Sequence, residues 1–61
     1  QLVRKSIYTT KIVRKGEIFD NTNLTTKRPA DGLSPLYWNE LIGRASKRFY
    51  SADERVDKNE I

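Results

Sequence analysis

Histidine, cysteine and methionine are all missing from this 61-residue chain, and the first two absences close whole classes of chemistry. Without cysteine there is no disulfide staple and no thiolate metal site. Without histidine the usual general base, the serine-protease triad and most zinc sites are gone. No apolar run approaches the ~20 residues that a membrane-spanning helix needs, and no signal peptide is visible. With no methionine and with Gln1 in first place, the chain reads as an excised piece of a larger protein, a single domain over residues 1–61. A domain of this size buries only about 60% of its unfolded surface and is marginally stable. Its chemistry is therefore supplied elsewhere or consists of binding, and neither a metal nor another cofactor is expected in it.

What is present is charge. Twelve Lys and Arg stand against eight Asp and Glu, a net charge of +4. The excess comes early, with Arg4, Lys5, Lys11, Arg14 and Lys15 all before the first acid, Glu17. Such a distribution suits phosphate, nucleic acid or an acidic protein surface. The plainer reading is a solvated face. The charges form no unbroken run and no long basic helix carries them, which favours the plainer reading.

Ser6-Ile7-Tyr8-Thr9-Thr10 is β-branched and aromatic and predicts a strand, with Ile12 and Val13 extending its apolar character. Arg14-Lys15-Gly16-Glu17 predicts a turn in which Gly16 takes positive φ. Asp20 predicts a capped single turn over Asn21-Thr22-Asn23-Leu24. Thr25-Thr26-Lys27-Arg28 is extended, because Pro29 disfavours helical geometry at Arg28. Ala30-Asp31-Gly32 is a turn. One short helix is expected near residues 35–42, with Ser34 as N-cap, Pro35 at its first position and Gly43 at C′. Leu41 and Ile42, with Tyr37 or Trp38, supply its buried stripe. Ala45 to Tyr50 predicts a second strand.

The two ends of the chain echo each other at an offset of 37 positions. Lys11-Ile12-Val13 returns as Arg48-Phe49-Tyr50, Glu17 as Glu54, Phe19 as Val56, Asp20 as Asp57 and Leu24 as Ile61. Asp57 with Glu60 also has the spacing of a capping box, repeating the turn that Asp20 starts. Two copies are too few for a solenoid. The expected fold is mostly β with short helical turns, a compact clip of short strands with internal pseudo-twofold symmetry.

Arg4-Lys5-Ser6-Ile7-Tyr8, Lys15-Gly16-Glu17, Lys27-Arg28-Pro29-Ala30-Asp31-Gly32-Leu33-Ser34-Pro35 and Leu41-Ile42-Gly43-Arg44 stand in one order along nearly the whole chain. This pattern resembles the C-terminal antifreeze-like (SAF) domain of the N-acetylneuraminate (sialic acid) synthases, which the legionaminate and pseudaminate synthases share. The resemblance implies a β-clip similar to type III fish antifreeze protein. It implies a cytoplasmic parent enzyme in which an N-terminal TIM barrel condenses phosphoenolpyruvate with N-acetylmannosamine or a related amino sugar, using a divalent metal (Mn or Mg) held in the barrel. The small domain then lies over the barrel of the other subunit of a homodimer, and the arginine of its Arg-Pro pair reaches the sugar. Arg28 occupies that position here. Relatives carry Gly after Arg-Pro where this chain has Ala30, so a positive φ at that position would set this loop apart.

Arg28 is thus the principal candidate for substrate binding. Its planar guanidinium offers five donors to sugar hydroxyls and an N-acetyl carbonyl, and holding the sugar against the enol carbon is a proximity effect. Pro29 restricts the adjoining backbone. Asp31 and Gly32 shape the supporting turn, and Lys27 is a further cation beside the site. On residue type alone, an arginine ahead of a loop is ordinary solvated surface; the resemblance singles it out, and a fold-level likeness is an analogy. Tyr37 and Trp38 read as core or barrel contacts, and Glu17 and Glu54 as structural or solvated carboxylates rather than an acid–base pair. Ice binding is not expected, because the threonine-bearing region carries Lys11, Asp20, Asn21 and Lys27. No catalytic residue is expected within this domain, which by itself should be inactive.

Two other readings compete. A nucleic-acid-binding module fits the charge and six aromatics, but those aromatics do not form an RRM signature and the helix is too short for groove recognition. An SAF domain of a flagellar or pilus assembly chaperone, or of a sugar-acid dehydratase, fits the fold but not the Arg-Pro loop with the helix that follows. Neither nucleic acid nor membrane is an expected partner.

Overall fold

β-Branched and aromatic residues adopt extended backbone readily because their side chains pack on a pleated surface. Ser6–Thr9 forms strand β1 and Leu24–Lys27 forms β2. The structure is a computed structural model and describes residues 5–61; Arg4, the first residue of the motif, lies outside them. The strands pair antiparallel, with Ser6 opposite Lys27, Ile7 opposite Thr26, Tyr8 opposite Thr25 and Thr9 opposite Leu24. Between them the chain makes the expected turns. Gly16 has φ 91°, and Asp20 Oδ1 accepts from the backbone N–H of Thr22 and Asn23 at 2.8 and 3.2 Å.

The helix predicted near 35–42 is present but divided. A 3-10 turn spans Pro35–Tyr37 and a single α turn, α1, spans Trp38–Leu41. Ser34 Oγ accepts from Leu36 N at 3.2 Å, and Gly43 closes the segment at φ 93°. The seam falls at Tyr37, whose φ of −96° and ψ of 11° leave the α region. Leu41 is fully buried, Trp38 and Ile42 pack against the core, and Tyr37 is exposed.

The second strand expected over Ala45 to Tyr50 does not form. Only its ends pair, through isolated bridges of Ala45 with Ile18 and Tyr50 with Val13. Ser46 explains the interruption. Its hydroxyl donates to Arg48 O and accepts from Arg48 N, bending the chain at Lys47–Arg48. The Asp57–Glu60 capping box is absent as well. Asp57 precedes a 3-10 turn, Lys58–Glu60, but makes no side-chain cap. Its carboxylate accepts from Arg48 Nε at 2.7 Å, while Glu60 accepts from Tyr50 Oη and Lys47 N.

Backbone bonds tie the 7–19 stretch to the 44–56 stretch. Val13 and Tyr50 exchange both of their hydrogen bonds, at 3.0 and 2.7 Å. Thr9 N donates to Glu54 O and Ser46 N to Glu17 O; Phe19 N donates to Arg44 O and Val56 N to Ile7 O. Glu17 Oε1 accepts from Arg14 N as Glu54 Oε1 accepts from Ser51 N. Asp53 takes positive φ, 61°, at the position matching Gly16. Ile7, Val13, Phe19, Leu24, Leu33, Leu41, Tyr50 and Val56 are buried together as one core, with the Phe19 and Tyr50 rings edge to face at 5.9 Å between centroids.

Candidate functional site: the Arg28 loop

Arg28 leaves the end of β2, and the Arg28–Pro29 peptide is cis. Lys27 is the last paired residue and Leu33 is the next to reach the core, so residues 28–32 arch away from the body between two fixed ends. The arch is tied down from below. Ser6 Oγ, fully buried, donates to Pro29 O at 2.6 Å. Arg55 Nη1 donates to Asp31 Oδ2 at 2.7 Å, and Tyr8 Oη reaches Asp31 Oδ1 at 3.4 Å. Leu33 N donates to Val56 O at 3.2 Å and Leu33 O accepts from Ile7 N at 2.9 Å.

Gly32 belongs to this arch for reasons of space. A Cβ there would stand 3.1 Å from Val56 O and 3.3 Å from Arg55 Cβ, tighter than most Cβ contacts, so those neighbours would have to give way. Ala30 does not require positive φ: among the described residues, Asp53 is the only non-glycine with it. The Gly-to-Ala departure at this position therefore carries no left-handed backbone penalty.

Lys27, Arg55 and Arg44 are each engaged within the domain. Lys27 pairs with Asp53 and places Nζ 4.7 Å from the Tyr8 ring centroid, so it braces the surface rather than facing outward beside Arg28. Arg55 holds Asp31, and Arg44 Nε donates to Glu40 O at 2.9 Å. Arg28 is exposed and takes part in none of the ion pairs among the described residues. Five N–H donors thus stand on a clamped loop, open to an external acceptor.

A second polar cluster was not legible in the sequence as a unit. Arg48 donates to Asp57 at 2.7 Å and to Glu54 at 2.9 Å, with its guanidinium 3.8 Å over the Tyr50 ring. Tyr50 Oη donates to Glu60 Oε2 at 2.7 Å and accepts from Asp57 N at 3.1 Å. Burial, and then the Glu60 carboxylate, push the Tyr50 phenol well above its usual range. The hydrogen bond with Asp57 holds the Arg48 guanidinium still more firmly protonated. The backbone N–H of Ser51, followed by Arg48, holds the Glu54 carboxyl below its usual range. The cluster closes on itself, and among the described residues no buried side-chain N or O lacks a partner. The Asp57/Glu60 spacing was its only trace in sequence, and that spacing signalled a different device.

Beside the loop lies a groove of about 930 Å³ lined by Lys5, Pro35, Leu36, Tyr37, Lys58 and Ile61, with Ala30 and Gly32 in its wall. Among the described residues no three His, Cys, Asp or Glu side chains converge as a metal site, and no helix is long and apolar enough to cross a membrane.

The SAF domain family model matches residues 4–61. The chain is 46% identical over 55 residues to the N,N'-diacetyllegionaminic acid synthase of Campylobacter jejuni, covering 90% of this chain and 16% of that protein. A pseudaminic acid synthase of Campylobacter jejuni is 39% identical over 44 residues, 72% of this chain and 13% of that protein. The pseudaminic acid synthase of Helicobacter pylori is 28% identical over 57 residues, 93% of this chain and 17% of that protein. The chain spans between 13% and 17% of the length of these curated relatives, so in them its counterpart is one part of a longer synthase. It belongs to the SAF domain family, and its relatives are members of the sialic acid synthase family.

Proposed function

We propose that this SAF domain is the substrate-capping part of a sialic acid-type synthase, which condenses phosphoenolpyruvate with N-acetylmannosamine or a related amino sugar. The observation that carries the reading is Arg28: an exposed guanidinium without an ion-pair partner among the described residues, on a loop whose Pro29 and Asp31 are fastened to Ser6 and Arg55. In this reading the domain covers the TIM-barrel active site of the other subunit of a cytoplasmic homodimer. Arg28 donates to the hydroxyls and N-acetyl oxygen of the sugar, and the clamped arch keeps the arginine's direction fixed, so less order has to be created on binding. Pro29, Asp31 and Gly32 act as support.

In this reading the divalent metal is held in the barrel. The metal would polarise the sugar carbonyl, whereas residues of the SAF domain bind and orient. For the fold, the matched bonds at an offset of 37 support a β-clip with a pseudo-twofold axis passing near the Val13–Tyr50 pair.

Arg28→Ala in the full-length synthase tests the role. Hydrogen bonds to a charged group are worth about 1.5–3 kcal/mol, so kcat/KM for the sugar should fall roughly 10- to 100-fold or more. The melting temperature should stay unchanged, because the side chain is exposed and makes no ion pair among the described residues. Unaltered condensation would remove Arg28 from the mechanism.

A further inference from the structure

Leu36 is 91% exposed, more than any other large apolar side chain among the described residues. It is held there. Ser34 Oγ accepts from Leu36 N, Ser34 O accepts from Tyr37 N at 3.0 Å, and Pro35 fixes φ between them. A short rigid turn thus presents an aliphatic knob to water, beside the groove that Pro35, Tyr37 and Ile61 line. Ile12, Ile18 and Phe49 are about half exposed but line no part of that groove.

Two features say what covers this face. Lys5 and Lys58 stand at the groove and take part in no ion pair among the described residues. Two copies of the groove brought together would oppose ammonium groups of like sign, a costly juxtaposition. Its complement is therefore acidic. The groove also shares Ala30 and Gly32 with the Arg28 loop, so a partner that receives Arg28 covers the groove as well. We infer that Leu36 and this groove dock on the catalytic part of the synthase, in an apolar pocket ringed by carboxylates. The inference rests on the reading of the domain as a synthase cap, and it adds the anchoring surface and its chemistry.

Hydroxyl-radical footprinting of the full-length synthase reads this directly. After correction for intrinsic side-chain reactivity, Leu36 should be oxidised at least about 5-fold more slowly than Phe49, the reverse of their exposures here. Oxidation of Leu36 at or above the corrected rate of Phe49 overturns the docking face. Carbodiimide coupling then identifies the partner. Lys58 joined to aspartate or glutamate of the catalytic part supports the proposal, and Lys58 joined only to carboxylates of a second SAF domain refutes it. Leu36→Glu, a change at an exposed position, should expose Tyr37 to oxidation and raise the KM for the sugar several-fold. Arg28→Ala separates the two ideas. Full activity of that variant with Leu36 protected leaves the docking face standing and removes the sugar contact. Lost activity with Leu36 freely oxidised does the opposite.

Discussion

Four arginines do different things, and the difference lies in what surrounds each guanidinium. Arg44 is tied to Glu40 O, Arg55 to Asp31, and Arg48 to Asp57 and Glu54 over an aromatic ring. Arg28 alone of the four is left open. At this scale a sharp test lies away from the site. Tyr50 is fully buried, and its hydroxyl both donates to Glu60 and accepts from Asp57 N. Tyr50→Phe keeps the ring but deprives the 2%-exposed Glu60 carboxylate of one of its donors, leaving Lys47 N, and takes the acceptor from Asp57 N. A loss of about 1–3 kcal/mol in urea unfolding free energy is expected, and a change below about 0.5 kcal/mol would mean that solvent already satisfies Glu60.

Among the elements, turns govern the fold more than strands do. Asp20 and Glu54 each accept backbone N–H groups, and both carboxyls are held below their ordinary values of 3.8 and 4.5, Asp20 chiefly by Thr22 and Glu54 chiefly by Ser51. A group depressed in the folded state stabilises it above its unfolded pKa, because the unfolded chain takes the proton first as pH falls. Stability should therefore begin to drop below about pH 4.5 and continue down through the lower folded values. Glu54→Gln should flatten that decline, as followed by thermal melts between about pH 7 and pH 2. In the arch, Gly32→Ala should cost about 1–3 kcal/mol, since the new methyl meets backbone at Val56 O rather than a movable side-chain end. Equilibrium unfolding would measure it, and a neutral result would show that the arch yields freely.

The same elements explain what was legible beforehand. Glycine, proline and capping residues act locally, so the turn at Gly16, the Asp20 cap, the Ser34 cap and the Gly43 exit could all be placed from sequence. The Arg28 arch was placed by its motif, and its tethers to Ser6 and Arg55 needed three dimensions. Errors came where a side chain had two local options. Ser46 bent the chain that β-favouring residues predicted as a strand. Asp57 and Glu60 turned toward Arg48 and Tyr50 instead of capping their own turn. Residues distant in sequence decided the outcome in that last case.

For the molecule as a whole, eight buried apolar residues among the described ones make one core, with Trp38, Ile42 and Ile61 packed against it. In the proposed role the domain binds and orients, and the condensation chemistry belongs to the rest of the synthase. The 61-residue chain mixed with phosphoenolpyruvate and an amino sugar should form no condensation product by mass spectrometry; turnover by the chain alone would refute the cap reading.

Most backbone partners of the 44–56 stretch lie in residues 7–19, on the far side of the Arg28 arch and α1. The polypeptide is thus laced through itself: beyond the β1–β2 ladder, each half supplies backbone partners to the other. A single proteolytic cut at the exposed Asn39–Glu40 bond would leave two peptides still clasped along these bonds. The scaffold that aims Arg28 could in that way outlast the loss of its covalent continuity.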